Sequence, residues 1–154
     1  MPSMTAAVPA AGFDPAELDA AFDPSPTPAH APNKFQVIDR IEKRSRLTRE
    51  RLGEPRAGRY GPSAIETLGY YPAAAANAPI HIHVHGGGWR QRKAETILLA
   101  AEAFIDAGIA FAAPDFIAVE ETNGDLGPMV GQVCRSIAWT VQNARELGGD
   151  RGRV

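Results

Sequence analysis

The sequence predicts an α/β fold, with an open and mostly parallel sheet flanked by helices. Residues 78–85 (APIHIHVH) alternate between apolar and polar side chains, a pattern typical of a β-strand. Residues 109–116 (IAFAAPDF) are nearly all apolar, as expected of a strand buried on both faces. Between them, residues 95–107 carry apolar side chains at helical spacing. A helix between two such strands favours a crossover that joins parallel neighbours.

The overall composition is that of one globular domain. The chain has 154 residues, of which 44% are hydrophobic and 22% are charged, enough to bury a core. A net charge of −2 argues against a nucleic-acid partner bound by bulk charge. The chain has no apolar run near the ~18 residues of a membrane span, and its first dozen residues lack the Lys or Arg of a signal peptide. We therefore expect a cytoplasmic protein, with the single Cys134 as a packed core thiol.

The first 32 residues differ from the rest in composition. They contain seven of the 13 prolines and no Lys or Arg. Asp14 as a cap, followed by Pro15, predicts the start of a short helix that ends before Pro24. We expect a Pro-rich N-terminal arm with one short helix over 1–32, and the α/β part over 33–154.

The remaining elements follow from caps and periodicity. Residues 34–52 predict a surface helix between a cap at Asn33 and a stop at Gly53. Residues 59–71 predict two strands joined by a turn, and residues 151–154 resemble the start of a further strand.

A last long helix is predicted over 126–147. Its apolar residues recur at spacings of three and four, so we expect them to face the core. They are Leu126, Val130, Val133, Ile137, Val141 and Ala144.

The glycine-rich motif His85-Gly86-Gly87-Gly88-Trp89 carries the functional prediction. It lies directly after the alternating strand and before a helix. Consecutive glycines allow a sharp turn and leave backbone amides unshielded. Two such N–H groups directed at one point can stabilise an oxyanion, as the HGGG-type loop of α/β-hydrolases does in acyl transfer.

With this motif, the chain resembles the N-terminal half of an α/β-hydrolase. The branch it resembles contains the kynurenine formamidases (arylformamidases) and the esterases with an HGGXW motif. Residues 18–24, 59–62 and 132–150 also resemble the formamidase-like members. The resemblance implies an oxyanion hole formed by the N–H groups of Gly87 and Gly88. It implies hydrolysis of an aryl formamide, another amide or a small carboxylic ester, without cofactor or metal, and leaves open a homodimer of the full enzyme.

The nucleophile of such an enzyme is not found in these residues. The resemblance implies a Gly-x-Ser-x-Gly elbow just after Val154. Ser63 lies in a partial match that has Ile65 in place of the second glycine, and Ser136 lies within a predicted helix. We therefore expect the 154 residues alone to be inactive and to need the missing C-terminal half or a second chain. The alternative is an inactive hydrolase half that acts as a binding or assembly partner.

The three histidines of the alternating strand suggest a metal site as another hypothesis. His81, His83 and His85 share one face. Neighbours on a strand face lie about 7 Å apart, however, so three in a row do not easily converge on one ion. Hydrogen-bonded histidines of a sheet are the preferred interpretation, and no metal is expected.

Overall fold

The computed structural model describes residues 12, 14–22, 32–86 and 94–154. By their contacts the residues form two units, 1–36 and 37–154, and the sequence had suggested a boundary after residue 32. Helix α1 (Pro15–Phe22) lies in the first unit. A side-chain oxygen of Asp14 accepts a hydrogen bond from the amide of Ala16 at 3.0 Å, as expected of a cap. The rest of the predicted arm, residues 1–11, 13 and 23–31, lies outside the described residues.

The other elements comprise helices and strands, with three strands in succession after α2. None of the helices in the described ranges is long and apolar enough to cross a membrane. The elements are α2 (Lys34–Leu52), β1 (Arg56–Arg59), β2 (Thr67–Tyr71), β3 (Ile80–Ile82), a 3-10 segment (Ala94–Ala100), α3 (Ala101–Asp106), β4 (Ala110–Pro114), a 3-10 turn (Val119–Thr122) and α4 (Gly127–Asn143).

The four strands form one mixed sheet in the order β1-β2-β4-β3. Only β3 and β4 are parallel, with His81 opposite Phe111. Strands β1 and β2 pair antiparallel, as do β2 and β4. The expectation of a mostly parallel sheet is therefore wrong for these strands. The short connection over residues 60–66 accounts for the antiparallel pairing of β1 with β2, and β2 in turn pairs antiparallel with the distant β4.

Helices cover both faces of this sheet. Alternate residues along β2 and β4 enter two separate cores. The α4-side core contains Tyr60, Leu68, Tyr70, Ile80, Ala110, Ala112 and Ala144. The α3-side core contains Tyr71, Ala94, Leu98, Ala101, Phe111 and Ala113.

Helix α4 presents a different face to the sheet than its apolar stripe predicts. Leu126, Val130 and Ile137 are 44%, 51% and 41% exposed, so the expectation that they face the core is wrong. Only the end of the predicted stripe, Ala144, is fully buried. The buried side chains within the helix are Met129, Gln132, Ser136 and Thr140. Cys134 is exposed too, which corrects its prediction as a packed thiol.

The buried hydroxyl groups of α4 explain how a polar face can pack on a sheet. The Ser136 hydroxyl donates to the carbonyl of Val133 at 2.7 Å, and the Thr140 hydroxyl donates to that of Ser136 at 2.8 Å. Because both groups bond to carbonyls of their own helix, neither is left unsatisfied on burial. Apolar periodicity indicates that a helix has an apolar stripe, but not which surface covers it.

The chain returns to the outer edge of β3 after α4. Gly149 forms a parallel bridge with Ala78, and the Ile80 amide donates to the Arg153 carbonyl at 2.9 Å. Residues 151 and 152 form a turn, however, where the sequence suggested the start of a strand. The expectation that a strand begins at residues 151–154 is therefore wrong, although the segment lies beside the edge of β3.

Candidate active site

The candidate site lies at the carboxyl edge of the two parallel strands. His85 follows β3, and Asp115 and Phe116 follow β4. Parallel neighbours end at the same edge of a sheet, which is where open α/β sheets commonly bind ligands. The sequence motif therefore begins at the edge where a site is expected.

His85 is fixed between β3 and the segment after β4. It is 3% exposed, and its ring stacks on Phe116 with centroids 4.3 Å apart and planes 8° from parallel. Its Nδ1 lies 3.1 Å from the carbonyl oxygen of Gly86. Its Nε2 is buried and has no hydrogen-bond partner among the described residues. The stack therefore sets the direction in which the chain leaves β3.

The glycine motif is described only at its start. Gly86 is exposed, and a Cβ atom added to it would meet no atom within 4 Å. The predicted oxyanion donors Gly87 and Gly88, together with Trp89, lie outside the described residues. The described chain resumes at Ala94, the first residue of the 3-10 segment. The two donors therefore stay a prediction, while both flanks of their segment are placed.

Asp115 holds the second flank. Its Oδ1 accepts a hydrogen bond from the amide of Ala94 at 2.7 Å. Its own amide donates to the carbonyl of Thr67 at 2.8 Å, and its carbonyl accepts the hydroxyl proton of Tyr60. Sequence reasoning missed this residue, although a carboxylate directly after an otherwise apolar strand was a usable signal.

Helix α4 is attached to the same segment. The amide of Ile117 donates to Oε1 of Gln132 at 2.7 Å, and Gln132 is buried on the inward face of α4. The three residues 115–117 thus connect to β2, to the turn after β1, to both flanks of the glycine motif and to α4. Such a segment has little freedom to move relative to the sheet.

A buried carboxylate supports the turn between β1 and β2. Glu66 is 1% exposed and accepts from the amide and hydroxyl of Ser63 and from Arg135 of α4, whose Nη2 lies 2.7 Å from its Oε1. The Ser63 amide is the largest of the contributions that lower the pKa of Glu66, and the Ser63 hydroxyl and Arg135 act in the same direction. A Cβ at Gly61 would lie 2.2 Å from this carboxylate, so the turn needs glycine there.

Tyr60 remains a proton donor over the physiological range. Burial raises its pKa to about 12, and the nearby carboxylates of Glu66 and Asp115 add to the shift. Its phenol can therefore donate to the Asp115 carbonyl without competition from ionisation.

His81 and His83 pack on the α3 side of the sheet. The His81 ring stacks on Phe104 at 3.9 Å, and the His83 ring lies 5.7 Å from Phe111. Burial lowers the pKa of both imidazoles, and each has a neighbouring histidine that adds to the effect. Their rings are 5.9 Å apart at the centroids. They serve as uncharged aromatic groups in this packing.

Comparisons with known proteins establish the fold and no more. The sequence matches no protein-family model and no curated protein. Among solved structures, a candidate thioesterase from Silicibacter sp. TM1040 aligns over 82% of this chain and 47% of its own, with 18% identity and a TM-score of 0.70. A propionate-bound thermophilic esterase from Thermogutta terrifontis aligns over 66% of this chain and 40% of its own, with 22% identity and a TM-score of 0.59.

The same Thermogutta esterase also matches in a form phosphonylated by cyclosarin, over 66% of this chain and 41% of its own. The chain thus spans less than half the length of these structures. Its α/β arrangement of a mixed four-stranded sheet and helices matches part of the fold of these esterase and thioesterase structures.

Proposed function

We propose that this chain forms the oxyanion-hole half of a serine-dependent hydrolase that cleaves an aryl formamide, another amide or a carboxylic ester. The observation that carries the proposal is the position of the glycine motif, which begins at His85 on the carboxyl edge of a sheet shared with esterases. Both flanks of the motif are held by residues that follow β4. A site for acyl transfer needs such a rigid support for its amide donors.

In the proposed reaction, a serine hydroxyl attacks the carbonyl carbon of the substrate while a histidine takes its proton. The carbonyl oxygen becomes an oxyanion, and the amides of Gly87 and Gly88 donate hydrogen bonds to it. Collapse of the intermediate expels the amine or alcohol, which takes the proton from the histidine, and water then hydrolyses the acyl-enzyme. The serine, the histidine and the acid come from sequence after Val154 or from a second chain.

The test uses the native protein that contains these residues. Hydrolysis of p-nitrophenyl acetate and of N-formylkynurenine is measured, and a fluorophosphonate probe reports an activated serine. We expect covalent labelling together with turnover of at least one substrate. Native protein that is neither labelled nor active would overturn the proposal.

A pair of glycine variants tests the oxyanion role. Gly88→Pro removes one N–H donor, so we expect kcat to fall about 10²- to 10³-fold, the usual cost of losing such a donor. Gly86→Ala is the matched control, because a Cβ at this position meets none of the described atoms within 4 Å and its φ is not in the left-handed region. Equal activity of the two variants would contradict the assignment of Gly88.

The second candidate function is an inactive hydrolase half that binds another chain. The exposed apolar side chains of Leu126, Val130 and Ile137 on α4 favour it, because such a patch is typical of an interface. This hypothesis predicts tight association without fluorophosphonate labelling. Sedimentation of the native protein, combined with the labelling experiment, separates the two functions.

A further inference from the structure

Two consecutive residues after β4 hold both flanks of the glycine motif. At the first flank, the His85 ring stacks on Phe116 at 4.3 Å. At the second flank, the Ala94 amide donates to Oδ1 of Asp115 at 2.7 Å. Asp115 and Phe116 are adjacent in sequence, so both attachments depend on the same short backbone segment after β4.

The backbone of Asp115 is itself well anchored. Its amide donates to Thr67 of β2, and its carbonyl accepts from Tyr60, which is 5% exposed. Two residues further on, the Ile117 amide is bound by Gln132 of α4. The carboxylate therefore projects from a fixed point of the sheet.

The bond to Ala94 is of a strong type. A carboxylate that accepts from a backbone N–H forms a charge-assisted hydrogen bond, and the first amides of a helical segment have no partner within the segment. Ala94 is 5% exposed and packs in the α3-side core, so this amide would otherwise be buried without a partner. The bond fixes where the chain must re-enter the sheet structure after the glycines.

We propose that Asp115 is a positioning residue for the oxyanion hole, which acts by holding Ala94 through their hydrogen bond while Phe116 holds the opposite flank at His85. This inference rests on the proposed hydrolase function and adds a residue to it. In this role Asp115 acts through the backbone of Ala94 and not on the substrate directly. Its effect is on the geometry of the transition-state contacts, and a displacement near 1 Å is enough to slow catalysis about 10²-fold.

The experiment compares three variants of the native protein. Asp115→Ala removes the acceptor, and Asp115→Asn keeps an acceptor oxygen at the same place. Asp125→Ala is the matched control, because Oδ1 of Asp125 also accepts from a backbone amide, that of Gly127 at 2.8 Å, but at the start of α4. For each variant we measure kcat, KM, the affinity for a phenylboronate transition-state analogue, and amide hydrogen exchange at Ala94.

We expect Asp115→Ala to lower kcat about 10- to 100-fold and to weaken phenylboronate binding in parallel, while KM changes less than about 3-fold. Asp115→Asn is expected to retain most of the kcat of the unchanged protein, and Asp125→Ala is expected to leave kcat unchanged. An unchanged kcat in Asp115→Ala, or a change in KM alone, would overturn the inference. If the native protein is inactive, the proposed function fails, and amide exchange at Ala94 becomes the test of the inference. Faster exchange at Ala94 in Asp115→Ala than in Asp125→Ala then supports the positioning role of Asp115. Equal exchange in the two variants overturns that role.

Discussion

The two faces of the sheet carry different polar groups. On the α4 side, the strands contribute apolar residues, the helix contributes the buried hydroxyls of Ser136 and Thr140, and a buried carboxylate is paired with an arginine of the helix. On the α3 side, the helix contributes apolar residues such as Phe104, β3 and the residue after it contribute the half-buried imidazoles of His81 and His83, and α2 adds two buried hydroxyl side chains. Both faces lie next to the candidate site.

This difference matters because the two kinds of polar group are satisfied differently. A helix hydroxyl is uncharged. Because it bonds to a carbonyl of its own helix, its hydrogen bond depends on no other element. An imidazole that stacks on an aromatic ring can gain a proton, and burial opposes that change. Packing against α4 should therefore be sensitive to side-chain volume, and the packing of the imidazoles on the α3 side to mildly acidic pH.

The strongest test of the α4 side is Ser136→Leu. Ser136 is fully buried, so the larger side chain has no space, and we expect the free energy of unfolding to fall by about 3 kcal/mol. Urea unfolding at constant m-value measures the change. Ser136→Ala controls for loss of the hydroxyl and should be much milder.

Ile137→Ser is the counterpart of Ser136→Leu on the outward face. Ile137 is 41% exposed, and we expect a change within about 0.5 kcal/mol. If Ile137→Ser lowered the free energy of unfolding more than Ser136→Leu does, the assignment of the inward and outward faces of α4 would be wrong.

A smaller effect is expected from Gln132→Leu. This change leaves the Ile117 amide without its acceptor, at a cost of about 2 kcal/mol in the free energy of unfolding. Gln132→Glu keeps the acceptor oxygen, and Gln142→Leu places the same leucine at an exposed position of α4. Equal urea midpoints for Gln132→Leu and Gln142→Leu would refute the role of this hydrogen bond.

The smallest effect concerns pH on the α3 side. The pKa of His81 is lower in the folded state than its ordinary value of about 6.5, so the unfolded state binds more protons between these two values. Stability therefore falls as the pH drops from about 6.5 towards the folded pKa and changes little below it. His81→Phe cannot titrate and keeps a ring against Phe104, so we expect a flatter dependence, with His83 supplying the remainder.

Urea midpoints between about pH 7 and pH 5 measure this dependence. Phe104→Leu is the control, because it weakens the packing but leaves the imidazole able to titrate. A pH dependence that is as steep in His81→Phe as in the unchanged protein would rule out His81 as its source.

Features with local signals were predictable from the sequence. The cap at Asp14, the helix over 34–52 and the apolar strand after Gly108 all appear close to their predicted bounds. Each depends on neighbours within a few residues, such as a cap, a stop or an alternation. The position of His85 near the end of β3 was likewise local information, although the observed strand (Ile80–Ile82) is shorter than the predicted 78–85.

Features that depend on distant partners were not predictable. The apolar stripe of α4 gave the wrong inward face, because the sheet beneath accepts the small side chains of Ser136 and Thr140. Asp115 was missed because its partners, Ala94 and Tyr60, are far from it in sequence. The antiparallel pairing of β2 with β4 likewise needs knowledge of which strands become neighbours.

The strand order also has a kinetic consequence. The β1–β2 hairpin closes a short loop, whereas β2 must find β4 across the intervening β3 and α3. Loop-closure entropy makes the hairpin the fastest contact to form and the β2–β4 pairing a slower one. Because β3 lies outside β4 in the sheet, it has no edge to join until β4 is in place. During refolding, His85 and its neighbours are therefore expected to gain protection after the hairpin, so the edge that carries the candidate site is assembled late.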